Sequence, residues 1–564
     1  MRRKNRDMNT TTAERLQCVA DALWLAPTAL LLAWCFPPHE WTLLAWVTLI
    51  PFGIALAKKE ASVALYAGAY FSGLAFHLLA TDWLRTSSQG EGLSGSTVSL
   101  WIVSGQIASV VWPAALWFGR RLERKTHWPI FLLLPVVWIS GEFLRMQLGW
   151  VASKTPCPWL QIGTTQVERT HIIQIADLGG AWGVGLLVAI VNGAFADLLV
   201  LRFRPNGAWQ RWRRGIAACA TVAVGVTGAF VYGEYRLQQT ETVAGPRVCL
   251  MPTLLSAQLP GVSAPLAQVY DALRVVDSPL KRGFDLALWS EDANVIVLQD
   301  IDRPLCPSKN HGHPAKPTES AEHTIQQLEK LARLVKSKIV IGVRREQEDR
   351  KFNSLAVIDP QDGYEGCCDK NYLVPWSEFT PWNWPDVEYP SRGFSHGTTT
   401  KVFQVEGPDG AQLNCAATIC YDVCFPDLYR AFMHEVEPDF FVVASGEVFD
   451  ATKCLARLTQ SMTRFRAIET RRAIVRNVDG GYSGIVDSAG RVIDSDDTNV
   501  AGPVLLNPVP IDRRETLVSL IGDRPIPVGC CLLLLFWPRL RKRDRTQAKS
   551  ISAVNERALH GSTG

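Results

Sequence analysis

Apolar positions run almost unbroken through the first part of the chain and then fragment. Continuous apolar stretches at about 22–38, 41–57, 62–82, 98–118, 129–148, 177–200 and 215–233 mostly approach the roughly 20 residues that cross a hydrocarbon core. They predict seven membrane-spanning helices over 22–233, after a cytoplasmic segment 1–21. Between 247 and 510 the apolar runs shorten and alternate with amphipathic stretches. Strands are expected at Arg247–Met251, Asp285–Trp289, Lys338–Val343, Ser354–Ile358, Leu413–Ile419, Phe440–Ala444, Ala473–Arg476 and Ser483–Val486. Helices are expected at 264–276, 320–336 and 454–472. The last repeats Leu455, Leu458, Met462, Phe465 and Ile468 at three- and four-residue spacing, one apolar helical face. Alternation of the two element types predicts a layered α/β domain.

An eighth apolar run, Pro525–Pro538, spans only about 14 residues, a length more typical of a buried or re-entrant segment. The basic stretch Arg539–Arg545 follows it directly, so a C-terminal transmembrane helix is placed at 519–540. The polar stretch 302–320 reads as a surface insertion, and 541–564 as a basic disordered tail.

Charge matters here through position. The net formal charge is only +4 over 564 residues, with no basic surface that would suggest nucleic acid. Basic residues nevertheless fall in alternate loops: Arg2, Arg3, Lys4 and Arg6, then Lys58 and Lys59, then Arg120, Arg121, Arg124 and Lys125, then Arg202, Arg204, Arg211, Arg213 and Arg214. The intervening loops around 83–97 and 149–175 carry few. By the positive-inside rule the N-terminus is cytoplasmic, and seven spans place the α/β domain on the outer face. Pro37-Pro38-His39-Glu40 offers no small-residue cleavage site, so the first run reads as a span and not as a cleaved leader. Glu142 and Asn192 within spans are expected to hydrogen-bond between helices, and Arg145 to snorkel to the interface.

Three residues in the α/β half read best together. Glu291 ends Leu286-Ala-Leu-Trp-Ser-Glu291, Lys370 follows the strand-like Phe352–Ile358 stretch, and Cys420 closes Leu413–Cys420. A carboxylate, an ammonium and a thiol brought together form an acyl-transfer site with a cysteine nucleophile and no histidine. A free thiol is only a few per cent ionised at neutral pH and needs a base.

These residues, in this order and after several apolar helices, resemble the Glu-Lys-Cys set of the nitrilase superfamily, and specifically the apolipoprotein N-acyltransferase family. Further matches support the likeness. Lys370-Asn-Tyr-Leu-Val-Pro-Trp-Ser-Glu378 resembles that family's Lys-x-x-Leu-Val-Pro-Phe-Gly-Glu stretch, and Phe394-Ser-His-Gly397 the turn after it. Arg466-Ala-Ile-Glu469-Thr-Arg-Arg472 resembles its Arg-Ala-x-Glu-x-x-Arg helix, and Cys157-Pro-Trp-Leu160 with Gln166 its Phe-Pro-Trp-Leu…Gln loop. There are departures. Ser290 replaces a proline, Asp422 a glutamate, and Ser445-Gly446-Glu447-Val-Phe449 an Asn-Asp-x-Trp-Phe loop; the Gln-x-x-Ile-Pro-Gln segment is not recognisable in Pro252–Gln258.

The resemblance implies a polytopic α-helical membrane domain joined to a nitrilase-like α-β-β-α sandwich over 247–510. It also implies an enzyme of the bacterial cytoplasmic membrane with its catalytic domain on the outer face. In that reading Cys420 is the nucleophile, Glu291 the general base and acid, and Lys370 the oxyanion stabiliser. Glu378 holds the lysine or the amine, and Tyr421, Asp422 and Trp376 shape the pocket. Arg466, Glu469 and Arg472 are expected to brace the fold. The acyl donor is a membrane phospholipid, the acceptor the lipidated N-terminal cysteine of an apolipoprotein, and the aromatic Val374–Pro390 loop is expected to reach the bilayer interface. A membrane-tethered amidase with the same triad, or a degenerate lipoprotein-binding homologue, are the alternatives. No cofactor or metal is expected: the fourteen cysteines form no Cys-x-x-Cys pair and the ten histidines show no ligand spacing. Cys420 is expected to be a free thiol despite Cys424 nearby.

Overall fold

A computed structural model describes residues 14–536 apart from 59, 61, 87–93, 204–206, 240, 252–282, 292–296, 300–320, 348–349, 376, 380–392, 399, 448–451 and 497–502. The expected helix at 264–276, the insertion, the tail and Trp376, Trp382 and Trp384 lie outside the described residues.

Among the described residues, six helices are long and apolar enough to cross a membrane: Glu14–Trp34, Val63–Ala80, Trp101–Thr126, Ile130–Val151, Ala176–Arg202 and Ala208–Gln238. The expected second span is the shorter Thr42–Ala57, broken into a 3-10 turn over Thr42–Trp46 and an α-helix over Ile50–Ala57 that Pro51 opens. The short C-terminal helix Pro525–Phe536 sends Cys530 and Leu534 into the same apolar core as Leu25, Leu32, Phe52, Leu65, Trp112 and Val137.

Contacts sort the helix ends into two groups. At one end Lys58 pairs with Asp21 at 2.8 Å, Arg120 donates to the Ala55 carbonyl, and Arg214 donates to the His127 carbonyl at 3.4 Å. At the other end Glu40, Glu168, Gln174, Asp177 and Gln239 meet the α/β half. Asn192 stitches helices as expected, accepting from Leu49 N at 2.8 Å and donating to the Ala45 carbonyl at 2.8 Å. Arg145 departs from expectation. It does not snorkel but is buried and donates to the Trp159 carbonyl, because a polar backbone group lies within reach inside the protein.

The α/β half is a four-layer α-β-β-α sandwich. One sheet has the order β13-β1-β2-β4-β5-β6, with β3 pairing β4; the other runs β12-β11-β10-β9-β8-β7. In the first sheet β1 is Val243–Leu250, β2 Leu286–Leu288, β3 Val297–Gln299, β4 Lys338–Gln347, β5 Arg350–Asp359, β6 Gly363–Asp369 and β13 Val504–Ile511. In the second β7 is Val402–Glu406, β8 Gln412–Ile419, β9 Phe440–Gly446, β10 Ala473–Asp479, β11 Ser483–Val486 and β12 Val492–Asp496. Successive side chains on a strand face opposite ways, so strands covered on both faces read as continuous apolar runs. Leu286 and Leu288 thus join Val340, Cys415, Ala417, Val442 and Val475 between the sheets, while Ala287 and Trp289 face helix Ala321–Val335. On the far side Ala416, Phe441, Val443 and Ile474 pack under helices Pro426–Glu435 and Cys454–Thr470.

Helix Cys454–Thr470 is also where the sandwich joins the bundle. Phe465 and Ile468 share a buried cluster with Val167, Ile173, Ala176, Ala181 and Val184. Beside it Arg471, fully buried, pairs with Asp177 at 2.7 Å and donates to Gln174 at 2.9 Å, and Gln174 in turn donates to the Ala489 carbonyl at 2.9 Å. Arg236 and Tyr232 engage the same Asp177 carboxylate at 2.7 and 2.8 Å. The expectation that the Arg466–Arg472 stretch braces the fold holds: Arg466 pairs with Glu469 at 2.7 Å and Arg472 donates to the Pro438 carbonyl at 2.6 Å.

Candidate active site

The three separated residues converge at one edge of the sandwich, past the C-terminal ends of parallel strands. β2 runs parallel to β1 and β4, and β8 parallel to β9, which is parallel to β10. Ligand crevices in α/β sheets open at such ends. Glu291 follows β2 on a buried turn that crosses β4 closely. A Cβ at Gly342 would lie 2.0 Å from the Glu291 carbonyl oxygen, so only glycine lets the carboxylate's backbone sit there. Lys370 follows β6, which corrects the sequence reading that hung it on Phe352–Ile358. That stretch is the neighbouring β5, and Ser354 pairs with Asp369 across the ladder. The two readings differ because Gly363-Tyr-Glu-Gly-Cys-Cys-Asp369 lacks the apolar alternation of a strand and is recognisable only by its partner.

Lys370 is 1% exposed and fully engaged. Its Nζ donates to Glu291 Oε1 at 2.8 Å and contacts Glu378 Oε2 at 3.0 Å. Asn353 Nδ2 bridges the same two carboxylates at 2.7 Å each. Gly446 N donates to the other Glu291 oxygen at 3.1 Å, and Val374 N to Glu378 Oε2 at 2.7 Å. Burial works against the ammonium, but Cys420, Glu291 and Glu378 outweigh it and hold Lys370 well above the ordinary lysine range. Lys370 is therefore a permanent cation here.

Cys420 sits at the β8-to-turn junction with φ +47°, a left-handed backbone that non-glycine residues adopt at a cost and that recurs at functional turns. Asp422 secures the turn, accepting from Ile419 N at 3.1 Å and from Tyr372 N at 2.7 Å, with Asn371 N at 3.2 Å. One carboxylate thus ties the cysteine turn to the lysine loop. Burial raises Asp422 to about 7 even against those donors and Lys370. The Cys420 thiol is half-buried and free, and Cys424 is buried and also free. Burial first, and the Glu291 charge second, raise Cys420 well above the ordinary thiol range, while Lys370 and the Ser445 hydroxyl pull the other way. At rest the sulfur keeps its proton.

Tyr421 packs on Trp159 and Phe425, with ring centroids 5.7 and 4.9 Å away. The structure thus brings Glu291, Lys370, Cys420, Glu378, Tyr421 and Asp422 together. Sequence reasoning missed Asn353, Glu447 and Arg476. The altered segment at 445–447 turns inward: Glu447 is buried, accepts from Thr459 at 2.7 Å and Ser445 at 3.3 Å, and pairs with Arg476 at 3.3 Å. Chemically, the arrangement offers a thiol, a neighbouring carboxylate and a fixed cation, at the border of a polar nest and an apolar cluster.

Residues 28–194 match the family model described as the apolipoprotein N-acyltransferase N-terminal domain, and residues 256–507 that of the carbon-nitrogen hydrolases. A protein of Geobacter metallireducens named apolipoprotein N-acyltransferase is 24% identical, over 84% of this chain and 86% of its own length. One of the same name from Gloeobacter violaceus is 23% identical over 93% and 94%. Among solved structures, a carbon-nitrogen hydrolase from Helicobacter pylori is similar at TM-score 0.34 and 11% identity, covering 47% of this chain and 89% of that one. Both family models match in sequence order, and relatives named apolipoprotein N-acyltransferase align across the bundle and the sandwich alike, so the chain is similar to that family over most of its length.

Proposed function

We propose that the protein transfers an acyl chain from a membrane phospholipid, through a thioester on Cys420, to the α-amino group of the lipidated N-terminal cysteine of an apolipoprotein. The names of its relatives support the reaction class. The observation that carries the mechanism is the enclosure of Lys370 between Glu291 and Glu378 beside the Cys420 turn.

In the first half-reaction the Cys420 proton passes to Glu291 as Sγ attacks the ester carbonyl carbon. Negative charge grows on the carbonyl oxygen, and Lys370 stabilises it. The intermediate then expels the lysophospholipid alkoxide, which takes the proton back from Glu291, and the acyl group is left on sulfur. In the second half-reaction the neutral amine attacks the thioester, Glu291 accepts one amine proton, and the departing thiolate recovers it. Asn353 and Gly446 N fix the Glu291 carboxylate for both transfers.

Residues 22–233 serve as a seven-span membrane domain, with Thr42–Ala57 as a short second crossing and 519–540 returning the chain. The bonds that gather Asp21, Lys58, Arg120 and Arg214 at the end away from the sandwich support a cytoplasmic N-terminus and an outward-facing sandwich at 247–510. That placement puts a bacterial cytoplasmic membrane's outer leaflet beside Cys420.

Intact-mass analysis after incubation with phospholipid and no acceptor tests the reading. It requires a single acyl adduct on Cys420 that disappears, with N-acylation of the peptide, when a diacylated lipopeptide is added. An adduct lost to water at the same rate without acceptor would instead support a hydrolase. No adduct would remove the enzyme.

A further inference from the structure

Resting on the proposed reaction, we infer that Trp159 is the surface against which the acyl chain on Cys420 lies, and that Glu142 and Arg145 are positioning residues that hold it there from within the bundle. The thiol borders two environments. On one side stand Lys370, Glu291, Glu378 and Asn353, where the carbonyl oxygen belongs. On the other, Cys420 packs in a single apolar cluster with Tyr421, Tyr372, Val374, Phe425 and Trp159. A chain whose carbonyl points at Lys370 leaves toward that cluster. Trp159 is the member contributed by the bundle. It is half-buried, lies 5.7 Å from the Tyr421 ring, and touches Trp83 of the bundle edge-on at 6.2 Å.

Its placement is imposed. Leu160, the next residue, has φ +64°, a left-handed backbone that strains any residue carrying a Cβ and persists only where the surroundings over-determine it. The restraints flank it. Arg145 donates to the Trp159 carbonyl before it, and Glu142 accepts from Ile162 N after it at 2.9 Å. Both come from one turn of the helix beginning at Ile130, and both are buried among apolar walls of Phe52, Trp112 and Trp138. Trp138 Nε1 donates to the same Glu142 oxygen at 2.9 Å and fixes its orientation. Further along, Gly163 lets the loop lie directly on the helix that starts at Ala176, since a Cβ there would meet the Ala181 carbonyl at 2.1 Å. Ionisable side chains inside a membrane bundle are expensive and mark function. Here the function is to aim one tryptophan at the nucleophile.

The test offers full-length protein in lipid nanodiscs an equimolar mixture of straight-chain and branched-chain phospholipid and weighs the Cys420 thioesters. Trp159→Ala removes that surface and should raise the branched-to-straight ratio about tenfold, with Trp159→Phe between, on the scale by which a hydrophobic pocket discriminates small differences in bulk. Arg145→Met and Glu142→Gln should move the ratio in the same direction although neither side chain reaches the thiol. A merely structural role would lower total thioester and leave the ratio alone. If wild-type Cys420 takes neither chain, the proposed reaction falls and this inference with it. If wild type takes both and Trp159→Ala and Trp159→Phe keep its ratio, only the inference falls.

Discussion

Buried charge is arranged differently in the sandwich and in the bundle. Around Lys370 every charged group faces an opposite or hydrogen-bonding partner on another element, forming a closed nest. In the bundle Glu142 and Arg145 bond the backbone of a loop, Glu142 Oε1 accepts from Trp138 Nε1 as well, and Glu142 Oε2 has no hydrogen-bond partner among the described residues. A closed nest fixes where charges sit relative to one another, as charge stabilisation in catalysis requires. A side chain bonded to backbone fixes where a segment lies. The two regions use similar residues for unlike ends, electrostatics in one and placement in the other.

Substitutions can test that contrast. The largest effect is expected for Cys420→Ser, which should cut N-acylation of a lipopeptide by roughly 10³-fold or more while leaving the thermal melt unchanged; retained acylation would break the nest's link to chemistry. Lys370→Met should both inactivate the protein and destabilise it by about 3–5 kcal/mol, because Glu291 and Glu378 would face each other without a cation. Adding Glu378→Gln should recover stability in denaturant melts but not activity. Arg471→Met should cost roughly 1.5–3 kcal/mol in the same melts, less than Lys370→Met because Arg236 and Tyr232 still serve Asp177.

Asp422 sharpens the comparison through pH. Its folded value of about 7 lies above its unfolded value near 3.8, so its contribution is complete below pH 3.8 and is lost as pH rises through 7. Melts of wild type against Asp422→Asn between pH 4 and 8 should therefore show wild type losing ground as pH rises. Equal slopes would mean that the turn's donors keep Asp422 ionised throughout. The smallest effect belongs to Arg457→Ala, whose pair with Glu40 is well exposed on both sides. It should change the melt by less than about 1 kcal/mol.

Much of the fold is legible in the sequence because its rule is simple. Strands buried on both faces, such as Phe440–Gly446, are continuous apolar runs, and the spans are longer ones. What escapes is whatever depends on a partner. β13 carries Asn507, Pro508 and Pro510, which argue against a strand until it is seen at a sheet edge, where proline is tolerated. Helix Pro426–Glu435 is absent from the expected helices although Pro426 opens it, because ten residues are too few to show a sustained apolar period. In the site, Glu291, Lys370 and Cys420 are legible as reactive types closing apolar or family-like stretches. Asn353 is an unremarkable polar residue on a strand, and nothing local tells that it spans two carboxylates 62 and 25 residues away. Glu447 looks like a lost motif in sequence and is an internal anchor in the structure.

The seam between helix Cys454–Thr470 and the bundle has a practical corollary. Phe465 and Ile468 find their cover in residues of the membrane half, and Arg471 finds its counter-ion there. Expressed without the helices, the sandwich would present a bare greasy stripe and a stranded guanidinium to water. This protein cannot be trimmed to a soluble fragment without redesigning that stripe.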